Sequence, residues 1–315
     1  MSRSDSPFII ESVGPGVYAV IDNGQGTAVG NAGIIDLGGG TLVFDTLLTP
    51  RAAQALRAAA TELTGSPVRW VVNSHYHNDH IRGNQVFVPD ATVISTRKTY
   101  EQIQHDGVEE LKSDASYAPR RAAELEAELA NTTDSQARKQ ITFWLDYFRA
   151  ITESLDTLEL TLPDITFEHY LHLHGSRRTV ILHGDWAGHT ASDAVLVVPD
   201  AGVAFLADLL FVKSHPFLAD GNPLTLMDSL QQLQKLDVQT FVPGHGPVGT
   251  AADLEAMIAY LDTCMVRARA LVKAGASPDD LTNEPVPDPF IDWAFPHFYG
   301  VNLRFLHGFF SSHGS

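Results

Sequence analysis

The apolar run Val68–Val72 (VRWVV) ends directly in NSHYHNDH, residues 73–80, and this junction constrains the chain more than any other stretch. His75, His77, Asp79 and His80 crowd four metal-ligating side chains into six positions. On a helix, residues two apart do not face each other, so His75 and His77 could not share an ion there. At the end of an extended strand they can, because side chains alternate and every second one lies on the same side. A turn after His77 then brings Asp79 and His80 round the same point. The sequence therefore calls for a buried strand whose C-terminal rim carries a ligand cluster.

Four ligands exceed what one tetrahedral catalytic ion accepts if a position stays open for water. Two ions would divide them, given further ligands from elsewhere. Three candidates are read at strand ends: His189 in AGHTASD before the strand AVLVVPD, Asp208 closing the run GVAFLAD, and His245 in FVPGHGPV. Gly244 and Gly246 flank His245 and let the backbone turn tightly and approach closely.

The remainder reads as alternating strands and helices, which predicts an α/β fold. GVYAVID, TAVGNAGIIDL and TLVFDT are read as strands, and TPRAAQALRAAATELTG as a helix with Pro50 near its start and Gly65 at its end. VRWVVNS, ATVISTR, ITFEHYLHLH, RTVILHG, DAVLVVPD, GVAFLADLLF and VQTFVPG are strands; LTLMDSLQQLQKLD and residues 250–274 are helices. Residues 98–160 break this pattern. Ile141, Trp144, Leu145, Phe148, Ile151, Leu155 and Leu158 recur at three- and four-residue steps, the mark of an amphipathic helix. The chain is read as a single domain over 1–315, with a helical insertion at about 98–160 and an aromatic-rich C-terminal tail at about 285–315. The tail is expected to pack on the body or against a second copy, and the insert could roof the pocket with Trp144, Tyr147 or Phe148.

Charge and cysteine content narrow the partners. A net charge of −17, with 21 scattered Lys and Arg, argues against nucleic acid, whose phosphates need concentrated positive charge. No apolar run is long enough for a membrane span, and the first ten residues show no export signal. A single cysteine, Cys264, forbids an intrachain disulfide and suits a reducing cytoplasm. A small-molecule substrate is expected, with a homodimer allowed for.

The ordered set His75, His77, Asp79, His80, then His189, Asp208 and His245 resembles that of the metallo-β-lactamase fold superfamily, whose hydrolases carry H-x-H-x-D-H followed by a lone His, an Asp and a His. The local wording GHT, AD before LLF, and PGHG is similar too. The resemblance implies an αββα sandwich with the site at one rim between the sheets. It implies that His75, His77 and His189 hold one divalent ion and Asp79, His80 and His245 a second, with Asp208 bridging and Asp45 steadying the ligands from outside. Zinc is the metal expected, with iron or manganese as alternatives. A hydroxide shared by two such ions would attack the carbonyl of a small ester, thioester, lactone or amide, with Asp79 orienting it and shuttling a proton.

Within the superfamily, β-lactamases have Cys or Ser where this chain has Asp208, and glyoxalase II appends a helical domain after the core. A β-lactamase with cytoplasmic location is one alternative, and persulfide dioxygenases are the rival from another reaction class: they keep the H-x-H-x-D-H string but use one iron, at positions equivalent to His75, His189 and Asp208. Lys213 and His215 follow the bridging aspartate and are candidate substrate contacts. His169, His172, His174 and His183 are read as structural.

Overall fold

The computed structural model describes residues 6–313; the first five residues, part of the segment read for an export signal, lie outside the described residues. One sheet runs in sequence order: β1 (Phe8–Gly14), β2 (Val17–Asp22), β3 (Ala32–Asp36), β4 (Thr41–Phe44), β5 (Val68–Val72), β6 (Thr92–Thr96) and β7 (Ile165–Phe167). Its first four strands are antiparallel neighbours, and β4 to β7 run parallel. The other sheet has the order β12 (Thr240–His245), β11 (Val203–Phe211), β10 (Val195–Val198), β9 (Thr179–His183), β8 (Tyr170–His174).

Alternation along each strand builds the layers. In β4, Leu42 and Phe44 join the apolar cluster between the two sheets, whereas Val43 joins the cluster beneath helix α1 (Pro50–Thr64). Phe44 meets Phe205 of β11 across the sandwich, with ring centroids 5.9 Å apart. A side chain at Gly33 would come within 2.5 Å of the Phe205 ring, so the close approach of the sheets requires glycine there. Burying Phe205 contributes on the order of 2–3 kcal/mol. On the outer face of the second sheet lie α6 (Pro223–Leu233), α7 (Ala251–Ala274) and α8 (His297–His313), which share one cluster with β10 and β11. The result is an αββα sandwich. No helix among the described residues is long and apolar enough to cross a membrane.

Helix α1 starts as its sequence predicts. Thr49 Oγ1 accepts from the Ala52 N–H, Pro50 takes the first turn, and Gly65 ends the helix at φ 65°. The insertion enters through α3 (Arg97–Gln102) and a wide turn over 103–107, then forms the pair α4 (Val108–Asn131) and α5 (Ser135–Ser154), packed through Leu125 and Leu145.

Several elements differ from the sequence reading, which did not include β1. TAVGNAGIIDL is a strand only over Ala32–Asp36, because residues 23–31 loop out to the rim of the sandwich. ITFEHYLHLH is not one strand: β7 pairs in the first sheet, and after two residues β8 pairs in the second. The aromatic tail is largely helical, with Leu303, Leu306 and Phe310 of α8 buried in the cluster shared with α7.

Candidate metal centre

The ligand string follows β5 as the alternation argument requires. His75 and His77 project from the extended segment, and the single turn α2 (Asn78–Ile81) carries Asp79 and His80. His189 comes from the loop between β9 and β10, and His245 ends β12. Asp208 was read as closing its strand, yet β11 continues to Phe211. What aims Asp208 at the rim is a break in the ladder: Ala207 has φ 46°, and the β11–β12 register shifts on either side of it. A side chain at Gly244 would lie 1.8 Å from Asp208 Oδ1, so that neighbour must be glycine.

All seven residues converge. Ligand atoms of His75, His77, His189 and Asp208 lie within 4.8 Å of one another, and those of Asp79, His80 and His245 form a second such group. Asp208 spans the two. Its Oδ1 is 3.1 Å from His80 Nε2, while Oδ2 is 3.2 Å from His189 Nε2, 3.3 Å from His245 Nε2 and 4.0 Å from His75 Nε2. Asp79 Oδ2 stands 3.4 Å from His245 Nε2 and 3.5 Å from His80 Nε2.

The outward atoms of these ligands are held. Asp45, at φ 61°, accepts from the Ser74 N–H through Oδ1, and through Oδ2 from the Ser74 hydroxyl and His80 Nδ1, each at 2.8 Å. Ser74 Oγ in turn accepts from His75 Nδ1 at 2.9 Å. Both histidines are thereby fixed with Nε2 facing the centre. His77 is turned the other way: its Nε2 bonds Asp220 at 3.0 Å, leaving Nδ1 inward, 3.0 Å from His189 Nε2. Asp193 fastens the His189 loop by accepting from the His189 and Thr190 N–H groups and the Thr190 hydroxyl.

These residues fit metal ions. His75 Nε2, His80 Nε2 and Asp208 Oδ1 are buried without an aligned hydrogen bond, although buried polar atoms are rarely left so. The donor set is imidazole and carboxylate, which suits zinc and its first-row neighbours. Burial and the crowd of neighbouring histidines push His189 down to about 3 and hold His75 well below its usual range, favouring the neutral, ligating form. Burial alone would raise Asp208, but His245, His80 and His189 hold it well below the ordinary carboxylate range.

A cavity of about 460 Å³ opens onto both groups. Lys213, a candidate substrate contact in the sequence, lies on its wall. His215 lies there too, but both its nitrogens are engaged, Nδ1 with Tyr260 Oη and Nε2 with the Phe290 carbonyl. Trp144 and Tyr147 of α5 line the cavity, whereas Phe148 packs between the insert and Leu48 of the body. His172 and His174 sit on the exposed face of β8, away from the centre. A larger open groove along α1, of about 770 Å³, holds neither ligand group.

Ser74, Asp193 and Asp220 escaped the sequence reading, although each lies in or beside a stretch that drew attention: NSHYH, GHTASD and PFLADGN. Glu110 of α4 also lines the cavity; burial pushes it up to about 7, against the pull of Arg82 and His77.

Fold and site together define an α/β sandwich whose rim carries histidine–carboxylate groups able to hold metal ions. The chain belongs to the metallo-beta-lactamase superfamily, whose sequence profile matches residues 26–245. It is 31% identical over 124 residues to the hydroxyacylglutathione hydrolase of Brucella anthropi, a match covering 37% of this chain and 46% of that protein. The chain thus spans less than half the length of that curated relative. Among solved structures, a metallo-beta-lactamase from Pontibacter korlensis superposes with a TM-score of 0.58 at 16% identity, covering 81% of this chain and 99% of that one. The FIM-1 metallo-beta-lactamase of Pseudomonas aeruginosa, in a mono-zinc form, gives 0.59 at 15% identity, covering 82% and 96%. At such identities the likeness is one of fold.

Proposed function

We propose that this protein is a dinuclear, zinc-dependent hydrolase of a small ester, thioester, lactone or amide. The observation that carries this reading is the Asp208 carboxylate, which presents one oxygen to His80 and the other to His189 and His245. His75, His77 and His189 would hold one ion, Asp79, His80 and His245 the other. Such a pair supplies Lewis acidity toward a carbonyl and activation of water near neutral pH.

The chain's own groups do the rest. Asp45 and Ser74 fix the tautomers of His80 and His75, and Asp220 fixes that of His77. Asp79 Oδ2, on the cavity side, is placed to take a proton from the attacking water and return it to the leaving group. The net charge and the lining acids support a small molecule over nucleic acid as substrate. A reducing compartment remains part of the proposal, since Cys264 is buried and unpaired.

Metal analysis by plasma emission, on protein purified without added metal, tests this. About two zinc ions per chain are expected. Asp208→Ala should lose most of the metal and nearly all turnover on an ester and thioester panel, with circular dichroism unchanged. One iron per chain with oxygen consumption on a persulfide would replace this reading with sulfur oxidation.

A further inference from the structure

The cavity wall facing the ligands is built jointly by two segments that are distant in sequence. Phe143, Trp144 and Tyr147 lie along one face of α5, and Phe295 and Phe298 come from the entry to α8. Ring centroids of Phe143 and Phe295 are 4.8 Å apart, those of Trp144 and Phe295 5.9 Å, and those of Trp144 and Phe298 6.2 Å. All five rings are only half-buried, so each keeps apolar surface toward the cavity. Tyr147 Oη accepts from Asn78 Nδ2 at 3.2 Å, which ties this wall to the turn carrying Asp79 and His80. Next to the ligand carboxylates, the lining includes Asp22, Glu110 and Asp220, while Lys213 is its one lysine or arginine among the described residues.

Apolar surface of this extent rewards a substrate group that can leave water against it. The excess of carboxylates penalises added negative charge at close range. We infer that the site takes an acyl compound carrying an apolar group of phenyl size or longer and at most one carboxylate, and that acyl carriers with two or more carboxylates bind poorly here. The word substrate rests on the hydrolase reading above; the wall and its ligand preference do not.

The test uses the full chain loaded with metal. Octanoyl and acetyl thioesters of N-acetylcysteamine, a neutral thiol, are compared with S-octanoyl-glutathione. We expect kcat/KM at least tenfold higher for octanoyl than for acetyl, and at least tenfold higher for the neutral thiol than for glutathione. Trp144→Ala should lower the octanoyl-to-acetyl ratio about tenfold, and Phe295→Leu, a milder change to the fold, should move it the same way. Binding of 4-phenylbutan-2-one, a neutral ketone with no bond to hydrolyse, is measured by calorimetry and should weaken at least fivefold in Trp144→Ala. Equal or faster turnover of the glutathione thioester, or no octanoyl preference, overturns the inference and leaves the hydrolase reading standing. Tight, Trp144-dependent ketone binding without turnover of any thioester supports the wall and counts against the hydrolase. Ketone binding indifferent to Trp144 overturns the wall preference whatever the turnover, and the hydrolase reading falls only if the ester, lactone and amide panel is also left intact.

Discussion

His77 shows how much of this centre is decided by single hydrogen bonds. It alone of the four histidines in the string and loop offers Nδ1 inward, next to His189 Nε2, and Asp220 holding Nε2 is the reason. Removing that carboxylate frees the ring to rotate and to change tautomer. Asp220→Ala should therefore weaken metal binding about 10–100-fold, the usual cost of losing an outer partner. Because Asp220 is largely exposed, the fold should survive, and Asp220→Asn should recover part of the loss. Competition with a chelator reads the affinity; an unchanged affinity in Asp220→Ala would show that His77 is held by packing alone. The seven candidate ligands, which the structure brings together in two groups, were legible because their types and order sit in recognisable strand-end stretches. Asp220, Ser74 and Asp193 were not: an aspartate or serine in a loop looks the same whether it meets a histidine or water, and only the fold brings Asp220 to His77 across 143 positions.

Among elements, a buried ion pair helps to fix the helical insertion to the ligand turn, beside the Asn78–Tyr147 hydrogen bond. Arg82, directly after α2, is 3% exposed and pairs with Asp114 of α4. Deleting one partner of a buried pair leaves the other charge unpaired, at a cost of about 3–5 kcal/mol. Asp114→Ala should therefore lower Tm by roughly 5 °C or more. Hydrogen exchange should locate the damage in α4 and α5, with β3 to β5 still protected; uniform loss of protection would mean that the pair holds the whole sandwich. The insert itself was legible from its 3.6-residue period. The fate of ITFEHYLHLH was not, because strand propensity does not say which sheet a strand joins. The helical tail was legible in hindsight: Tyr299, Leu303, Leu306 and Phe310 form a buried stripe at helical spacing. Gly300, Gly308 and a run of aromatics lower local propensity, and packing on α7 outweighs it.

At the scale of the molecule, His215 joins parts that the sequence kept separate. Its Nε2–H donates to the Phe290 carbonyl at 3.2 Å, and its Nδ1 accepts from Tyr260 of α7 at 2.9 Å. Tyr260 Oη accepts in turn from Asn302 of α8 at 3.2 Å, so the tail, α7 and the loop after β11 hang on one neutral imidazole. Burial pushes that imidazole down to about 4, partly offset by the bond to Phe290. Tyr260 and Tyr299 nearby are themselves raised by burial and stay neutral across the acid range, and a charge on His297 would lower His215 further. The sign follows. Between about 6.5 and 4 the unfolded chain binds a proton that the folded one refuses, so stability falls as pH drops through this window and is level above it. At about 1.4 kcal/mol per unit the loss reaches at most about 3.5 kcal/mol. Half-buried Asp22, raised to about 6, works the other way, since its folded form takes up a proton sooner. Absolute acid profiles therefore mix opposing contributions, and the informative quantity is a difference. His215→Gln should be less stable than the parent at pH 7, having lost part of the network, yet should lose less on acidification, so that the two Tm curves converge between pH 6.5 and 4.5. Parallel curves would show that the tail is docked by its apolar stripe and that the imidazole is a passenger.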